Sequence, residues 1–308
     1  MWYAEGGFLL LRRSGILNIQ KWHYCVAVII FLAFVFANGI PVNSDASALS
    51  ASAGAKSSYS YPKNVFLPDG GLASDVSLKI NQKNMLKIGH RGAAGYEPEN
   101  TIRSFRKAVA FGVDEIELDV RFCKSGELVV IHDDRVDATT DGEGFVREKT
   151  LAELKKLNAG KGEKIPTLEE ALDSVDKMAK VNIEIKDEGT AKPLAETIRR
   201  YIGEKQWTRE KFAVISAIPN ELRVFKELMP DIHTGIIGNP SPELLQTGRE
   251  ASTNSIDANF ATVTEEFVGK VHAQKMKSIV WTVNREEDIA RMKAYGVDGI
   301  VSDYPDKL

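Results

Sequence analysis

From residue 85 to the C-terminus, short apolar or alternating runs are separated by stretches whose apolar residues recur three and four positions apart. The runs at 85–90, 114–120, 127–132, 180–186, 212–217, 233–237, 255–260, 277–283 and 298–302 predict β-strands. Helices are predicted over 101–111, 150–157, 167–179, 191–204, 219–228, 264–275 and 285–295. Thr167 stands three residues before Glu170, the spacing of a capping box. Gly112 and Gly296 each follow a helical stretch where a left-handed cap is favoured.

Repeated strand–helix units imply a parallel sheet covered by helices. At this length the expected form is α/β, a closed TIM (β/α)8 barrel with a short insertion over its C-terminal mouth, at about 133–168. Nine strand candidates compete for the eight places of such a barrel, so one of them is misassigned or lies outside it. The link between 114–120 and 127–132 is too short for a crossover helix. The alternative is an open doubly wound sheet, but the chain carries neither GxGxxG nor GxxxxGK[ST].

The first part of the chain has a different pattern. Residues 25–42 (CVAVIIFLAFVFANGIPV) are apolar and uncharged, with Arg12, Arg13 and Lys21 before them and no Lys or Arg until Lys56. That asymmetry predicts a cytoplasmic N-terminus and an extracytoplasmic body, either secreted or held at the membrane. Residues 1–43 read as a signal peptide or membrane anchor, 44–80 as a flexible linker of small polar residues, and 81–308 as the folded barrel.

Composition adds little but excludes some classes. The chain is 43% hydrophobic and 27% charged, as in ordinary globular domains. A net charge of −3 gives no electrostatic reason to expect nucleic acid. Cys25 lies in the apolar segment, which leaves Cys123 alone in the body, so no structural disulfide is expected. There is no CxxC or Cys/His zinc pattern.

In a barrel, side chains at the C-terminal ends of the strands converge on one mouth. The first strand ends at His90 and Arg91, and the next carries Glu117 and Asp119 on one face. Another ends at His132, and the next carries Glu184 and Lys186, again two apart. Trp281 and Asn284 end a later strand, and Ser302 and Asp303 the last. Three carboxylates in one low-dielectric mouth repel unless a cation or protons neutralise them. An all-oxygen set suits one divalent Ca2+ or Mg2+ ion rather than zinc. Arg91 and Lys186 beside such an ion suit a phosphate, and two histidines suit proton transfer near neutral pH. Together these groups point to hydrolysis of a phosphate ester. An enolase-type lyase also gathers carboxylates at strand ends, but it needs a capping domain and an early lysine base, and neither is visible.

The strings HRGAAGYEPENT, EIELDVR, VVIHDD, ATTDGEG, IPTLEEAL, NIEIK, WTVN and DGIVSDYP occur in an order that resembles the glycerophosphodiester phosphodiesterases, over about residues 86–306. The resemblance implies a TIM barrel that cleaves a small-molecule glycerophosphodiester to sn-glycerol 3-phosphate and an alcohol. It implies Glu117, Asp119 and Glu184 as ligands of Ca2+ or Mg2+. His90 and His132 would be the acid–base pair, with His90 favoured as base. Arg91 and Lys186 would contact phosphate, and Trp281 the glycerol or head-group face. Gly92 and Gly95 would let the turn approach the phosphate. Glu99 would hold an arginine or the helix start, and Asn100 would cap the helix from Thr101. Two rivals stand beside this reading: a lysophospholipase D acting on membrane lysolipids, and a non-catalytic extracellular protein that binds phosphodiesters.

Overall fold

A computed structural model describes residues 85–308. The expected apolar segment and linker lie outside the described residues, and so do their consequences for location. Among the described residues, no helix is long and apolar enough to cross a membrane.

All nine expected strands form: β1 Leu86–Gly89, β2 Glu115–Phe122, β3 Leu128–Val130, β4 Lys180–Ile185, β5 Phe212–Ser216, β6 His233–Gly238, β7 Ser255–Asn259, β8 Lys277–Trp281 and β9 Gly299–Ser302. Eight of them run parallel in the order β1-β9-β8-β7-β6-β5-β4-β2, and β1 pairs with β2 to close the ring. The protein is therefore a TIM barrel. The extra strand is β3, which turns back from β2 and pairs with it antiparallel, Val120 opposite Val130. The link Cys123–Glu127 has room for a tight turn and not for a helix.

The helices are α1 Ile102–Ala110, α2 Leu151–Leu154, α3 Leu168–Val175, α4 Ala191–Glu204, α5 Pro219–Leu228, α6 Pro242–Glu250, α7 Glu265–Ala273 and α8 Glu286–Ala294. The capping box at Thr167 and Glu170 is present, and Gly112 and Gly296 both adopt left-handed backbone. Two differences from expectation have local causes. Helix α3 stops at Val175 because Asp176 turns left-handed. Helix α6 is not foreseen, since its buried face rests on Leu245 and Gly248; a methyl at Gly248 would meet Ile256.

Alternate strand residues face opposite ways, and the two sets differ in chemistry. Outward-facing Ile116, Leu118, Val120, Val181, Ile183 and Ile185 are buried with Phe105, Leu172, Ile198 and Phe225 of the helices. Each fully buried side chain of this size stabilises the fold by roughly 1.5–3 kcal/mol. The intervening residues Glu117, Asp119, Asn182 and Glu184 point into the barrel, and the β2–β4 register sets Asp119 beside Glu184. Inside, Ile88, Ile279 and Val301 form a small apolar cluster of their own. Between β3 and β4 the chain builds a second small core from Cys123, Val129, Ile131, Val136, Val146, Leu154, Ala159 and Ile165.

Candidate active site

The turn after β1 is shaped by its neighbours. Arg91 has left-handed backbone (φ 49°), which aims its N–H at Glu117 Oε2, 2.8 Å away. Gly92 (φ 88°) follows, and a methyl there would collide with Ser104; one at Gly95 would collide with Tyr304. Packing against α1 and Tyr304 therefore requires glycine at both positions. Asn100 does not cap the helix. Thr101 does, accepting from the Ser104 N–H at 3.3 Å, and Asn100 instead donates through Nδ2 to Asp119 Oδ2 at 2.8 Å.

Seven of the eight residues singled out in the sequence line one cavity of about 250 Å3: His90, Arg91, Glu117, His132, Glu184, Lys186 and Trp281. The eighth, Asp119, is buried behind them at 1% exposure. Glu117, Asp119 and Glu184 each offer an oxygen within 4.8 Å of the others. Burial first, then the charges of Asp119 and Glu184, push the Glu117 carboxyl well up. Burial and the Asp119 charge raise Glu184 to about 7. Asp119 goes the other way: burial would raise it, but Lys186 and Arg91 outweigh that and hold it low.

The cations are anchored yet incompletely used. Lys186 Nζ donates to Glu184 Oε1 at 2.7 Å and stands 3.6 Å from Asp119 Oδ1. Arg91 Nη1 donates to Glu99 Oε1 at 2.7 Å, the first of the two roles expected for Glu99. Arg91 Nε and Asp119 Oδ1 are both buried without a hydrogen-bond partner. Such orphaned groups are unfavourable in isolation, so this centre has spare capacity for a ligand.

Both histidines have a carboxylate on Nδ1. His90 Nδ1 lies 2.6 Å from Asp303 Oδ1, and Asn284 Nδ2 donates to Asp303 Oδ2 at 2.6 Å. Burial would raise Asp303, but its bonds to His90 and Asn284 win and lower it. His132 Nδ1 lies 2.6 Å from Asp133 Oδ1, and Arg121 Nε holds the His132 carbonyl at 2.8 Å while its guanidinium grips Asp187. Burial lowers His132, so the neutral ring is favoured at neutral pH. Trp281 donates from Nε1 to the Asp257 carbonyl at 2.8 Å, which fixes the indole edge against the cavity.

From sequence, Asp303 and Asn284 are expected only as strand-end residues and Asn100 only as a helix cap, and Arg121 and Asp257 carry no expected role. Parity was the available signal: Arg121 continues the inward face of Glu117 and Asp119, and Asp257 stands between outward-facing Ile256 and Ala258.

The sequence matches the glycerophosphoryl diester phosphodiesterase family over residues 90–307. A glycerophosphodiester phosphodiesterase of Caldanaerobacter subterraneus is 40% identical over 236 residues, 72% of this chain and 96% of that one. A human lysophospholipase D is 26% identical over 264 residues, 72% of this chain and 84% of that one. Among solved structures, an Oleispira antarctica phosphodiesterase in complex with the product sn-glycerol-3-phosphate superimposes with a TM-score of 0.67 at 28% identity, covering 71% of this chain and 93% of that chain.

Proposed function

The chain belongs to the glycerophosphoryl diester phosphodiesterase family, and from that premise we propose that its barrel mouth hydrolyses glycerophosphodiesters to sn-glycerol 3-phosphate and an alcohol with one divalent cation and a histidine pair. That the chain is a phosphodiesterase follows from its family; the cation, the histidine roles and the product are the proposal. The observation that carries it is the meeting of three carboxylates, two cationic side chains and two histidines at one cavity.

Glu117, Asp119 and Glu184 fit a hard cation: their oxygens converge, and Asp119 Oδ1 is buried without a donor. When bound, Ca2+ or Mg2+ supplies positive charge against the phosphoryl oxygens. Arg91 and Lys186 hold the phosphate from the protein side, and the unpartnered Arg91 Nε is a donor for it. Asp303 and Asp133 occupy the Nδ1 atoms of His90 and His132, which leaves each Nε2 for proton transfer. One histidine takes a proton from the attacking hydroxyl and the other protonates the leaving alkoxide; attack by water gives sn-glycerol 3-phosphate directly, and attack by the glycerol 2-hydroxyl gives a cyclic phosphate that water then opens. Trp281 packs against the substrate's carbon chain.

The charge asymmetry around residues 25–42 supports an extracytoplasmic site, secreted or membrane-held. Protease accessibility of the barrel in intact cells tests that placement. For the reaction, the full chain is incubated with glycerophosphocholine or detergent-dispersed lysophosphatidylcholine, and the products are identified. Release of sn-glycerol 3-phosphate and choline from glycerophosphocholine is expected. Preferential cleavage of the lysolipid would move the reading to a lysophospholipase D, and binding without turnover of either would make it a binding protein.

A further inference from the structure

Away from its charged side, the cavity is walled by Ile215, Ala217, Ile237 and Val301, with Thr282 and Asp257 as the polar residues. Asp257 is 2% exposed and, among the described residues, has no ion-pair partner. A carboxyl so placed is unfavourable unless something hydrogen-bonds it. One oxygen is satisfied: Ser255 Oγ donates to Asp257 Oδ1 at 2.5 Å, and Ser255 Oγ in turn lies 3.2 Å from His233 Nε2. The neighbouring strand makes room for this line. Gly235 is in register with Ser255, and a methyl there would collide with both Ser255 Oγ and Asp257 Oδ1. Two strands thus hold one carboxyl in a fixed pose at a wall that is apolar apart from Thr282. Oδ2 accepts no hydrogen bond from the described residues.

We propose that Asp257 is the specificity-determining residue for the polyol half of the substrate, its free oxygen bonding the terminal hydroxyl of the glycerol unit. This rests on the phosphodiester reading of the same cavity and adds which part of the substrate is read, and by what. With the phosphate held among Arg91, Lys186 and the carboxylates, the carbon chain is left to the opposite wall. Trp281, Ile237 and Val301 give that wall the surface to pack carbons, and Asp257 gives it a polar group to recognise a hydroxyl. A hydroxyl both donates and accepts, so it satisfies the carboxyl in either protonation state. Burial, against a smaller lowering by Ser255, pushes this carboxyl up to about 7, so both states are present near neutrality.

The test compares binding of sn-glycerol 3-phosphate with that of its analogue lacking only the terminal hydroxyl. Calorimetry is run on the full chain with Ca2+, for wild type, Asp257→Ala and Asp257→Asn. Wild type is expected to prefer the glycerol compound by roughly 100-fold, the order expected for one hydrogen bond to a charged group. Asp257→Ala should shrink the preference to about threefold by weakening the glycerol compound, and Asp257→Asn should keep roughly tenfold, because an amide still bonds a hydroxyl. On glycerophosphocholine, Asp257→Ala should raise KM more than it lowers kcat. Equal loss on both ligands, or an unchanged preference in Asp257→Ala, overturns the inference. So does a wild type that binds the two alike or binds neither, a result that stands even if the alanine variant does not fold. A chain that shows the expected preference yet cleaves no glycerophosphodiester defeats the hydrolysis reading alone.

Discussion

Strands β2 and β4 carry charge at both ends of the barrel, and the two ends treat it differently. At the floor, where the strands begin, Glu115 Oε1 meets Lys180 Nζ at 2.9 Å, one acid with one base, and both are largely buried. At the mouth, where the same strands end, Glu117, Asp119 and Glu184 gather against Lys186 and Arg91. The floor pair has its charges matched. The mouth has a carboxyl pushed well up, another raised to about 7, and two buried polar atoms without partners. A similar alternation of acid and lysine along two strands therefore makes a finished ion pair at one end and a crowded carboxylate cluster at the other, the site proposed for the cation. Excess like charge in a buried place is a property of a binding site, whereas a matched pair is a property of the scaffold.

The comparison implies that mouth and floor variants separate activity from stability. His90→Ala and His132→Ala should each lower kcat by roughly 10^3–10^4-fold, with the melting temperature close to wild type. Glu184→Gln should lower cation affinity and activity together by about 10^3-fold. It should also raise the melting temperature of the cation-free protein, because it removes one of the repelling carboxylates. Calorimetric cation titration and melting curves in EDTA check both halves. A fall in melting temperature without cation would mean that the mouth carboxylates are scaffold after all.

At the floor the signs reverse. Glu115→Gln leaves Lys180 buried and unpaired and should destabilise by about 3 kcal/mol, with kcat of the folded fraction unchanged. Denaturant unfolding alongside kinetics tests it. His233, at the start of β6, is pushed down to about 3 by burial and by Lys180, Lys277 and Lys226. Its folded pKa lies below the unfolded value of 6.5, so the unfolded chain binds the extra proton. Its contribution is present above the unfolded value and is lost as pH falls toward the folded one. Between neutral pH and about pH 5 this removes up to ~2 kcal/mol. His233→Gln should flatten that part of the stability profile, and a slope unchanged in the variant would assign it to other groups.

Much of this contrast was legible in the sequence, and the illegible parts share a cause. Period-two alternation revealed all nine strands, and the polar residues at their ends revealed Glu117, Asp119, Glu184, His90 and His132 as neighbours, because barrel geometry brings successive strand ends together. Which strand lay outside depended on a turn too short for a crossover, a constraint that does not say which of its two strands leaves the ring. Partners distant in sequence were invisible: Asp303 reaches His90 from 213 residues away. Asn100 has the right type for a helix cap, yet its left-handed backbone and the Asp119 carboxylate take it elsewhere. Gly92 and Gly95 read as phosphate-turn glycines, and that they also make room for Ser104 and Tyr304 shows only in the fold. Side-chain type and local period are written in the sequence; close approaches across the fold are not.

The claim that the mouth is completed by a divalent cation is tested most directly by release of sn-glycerol 3-phosphate from glycerophosphocholine. The full chain is stripped with EDTA and then titrated with Ca2+ or Mg2+, beside Glu184→Gln. The account predicts no release after stripping, recovery in wild type on adding either ion, and no recovery in the variant at the same concentrations. An undiminished rate in the stripped wild type would contradict it.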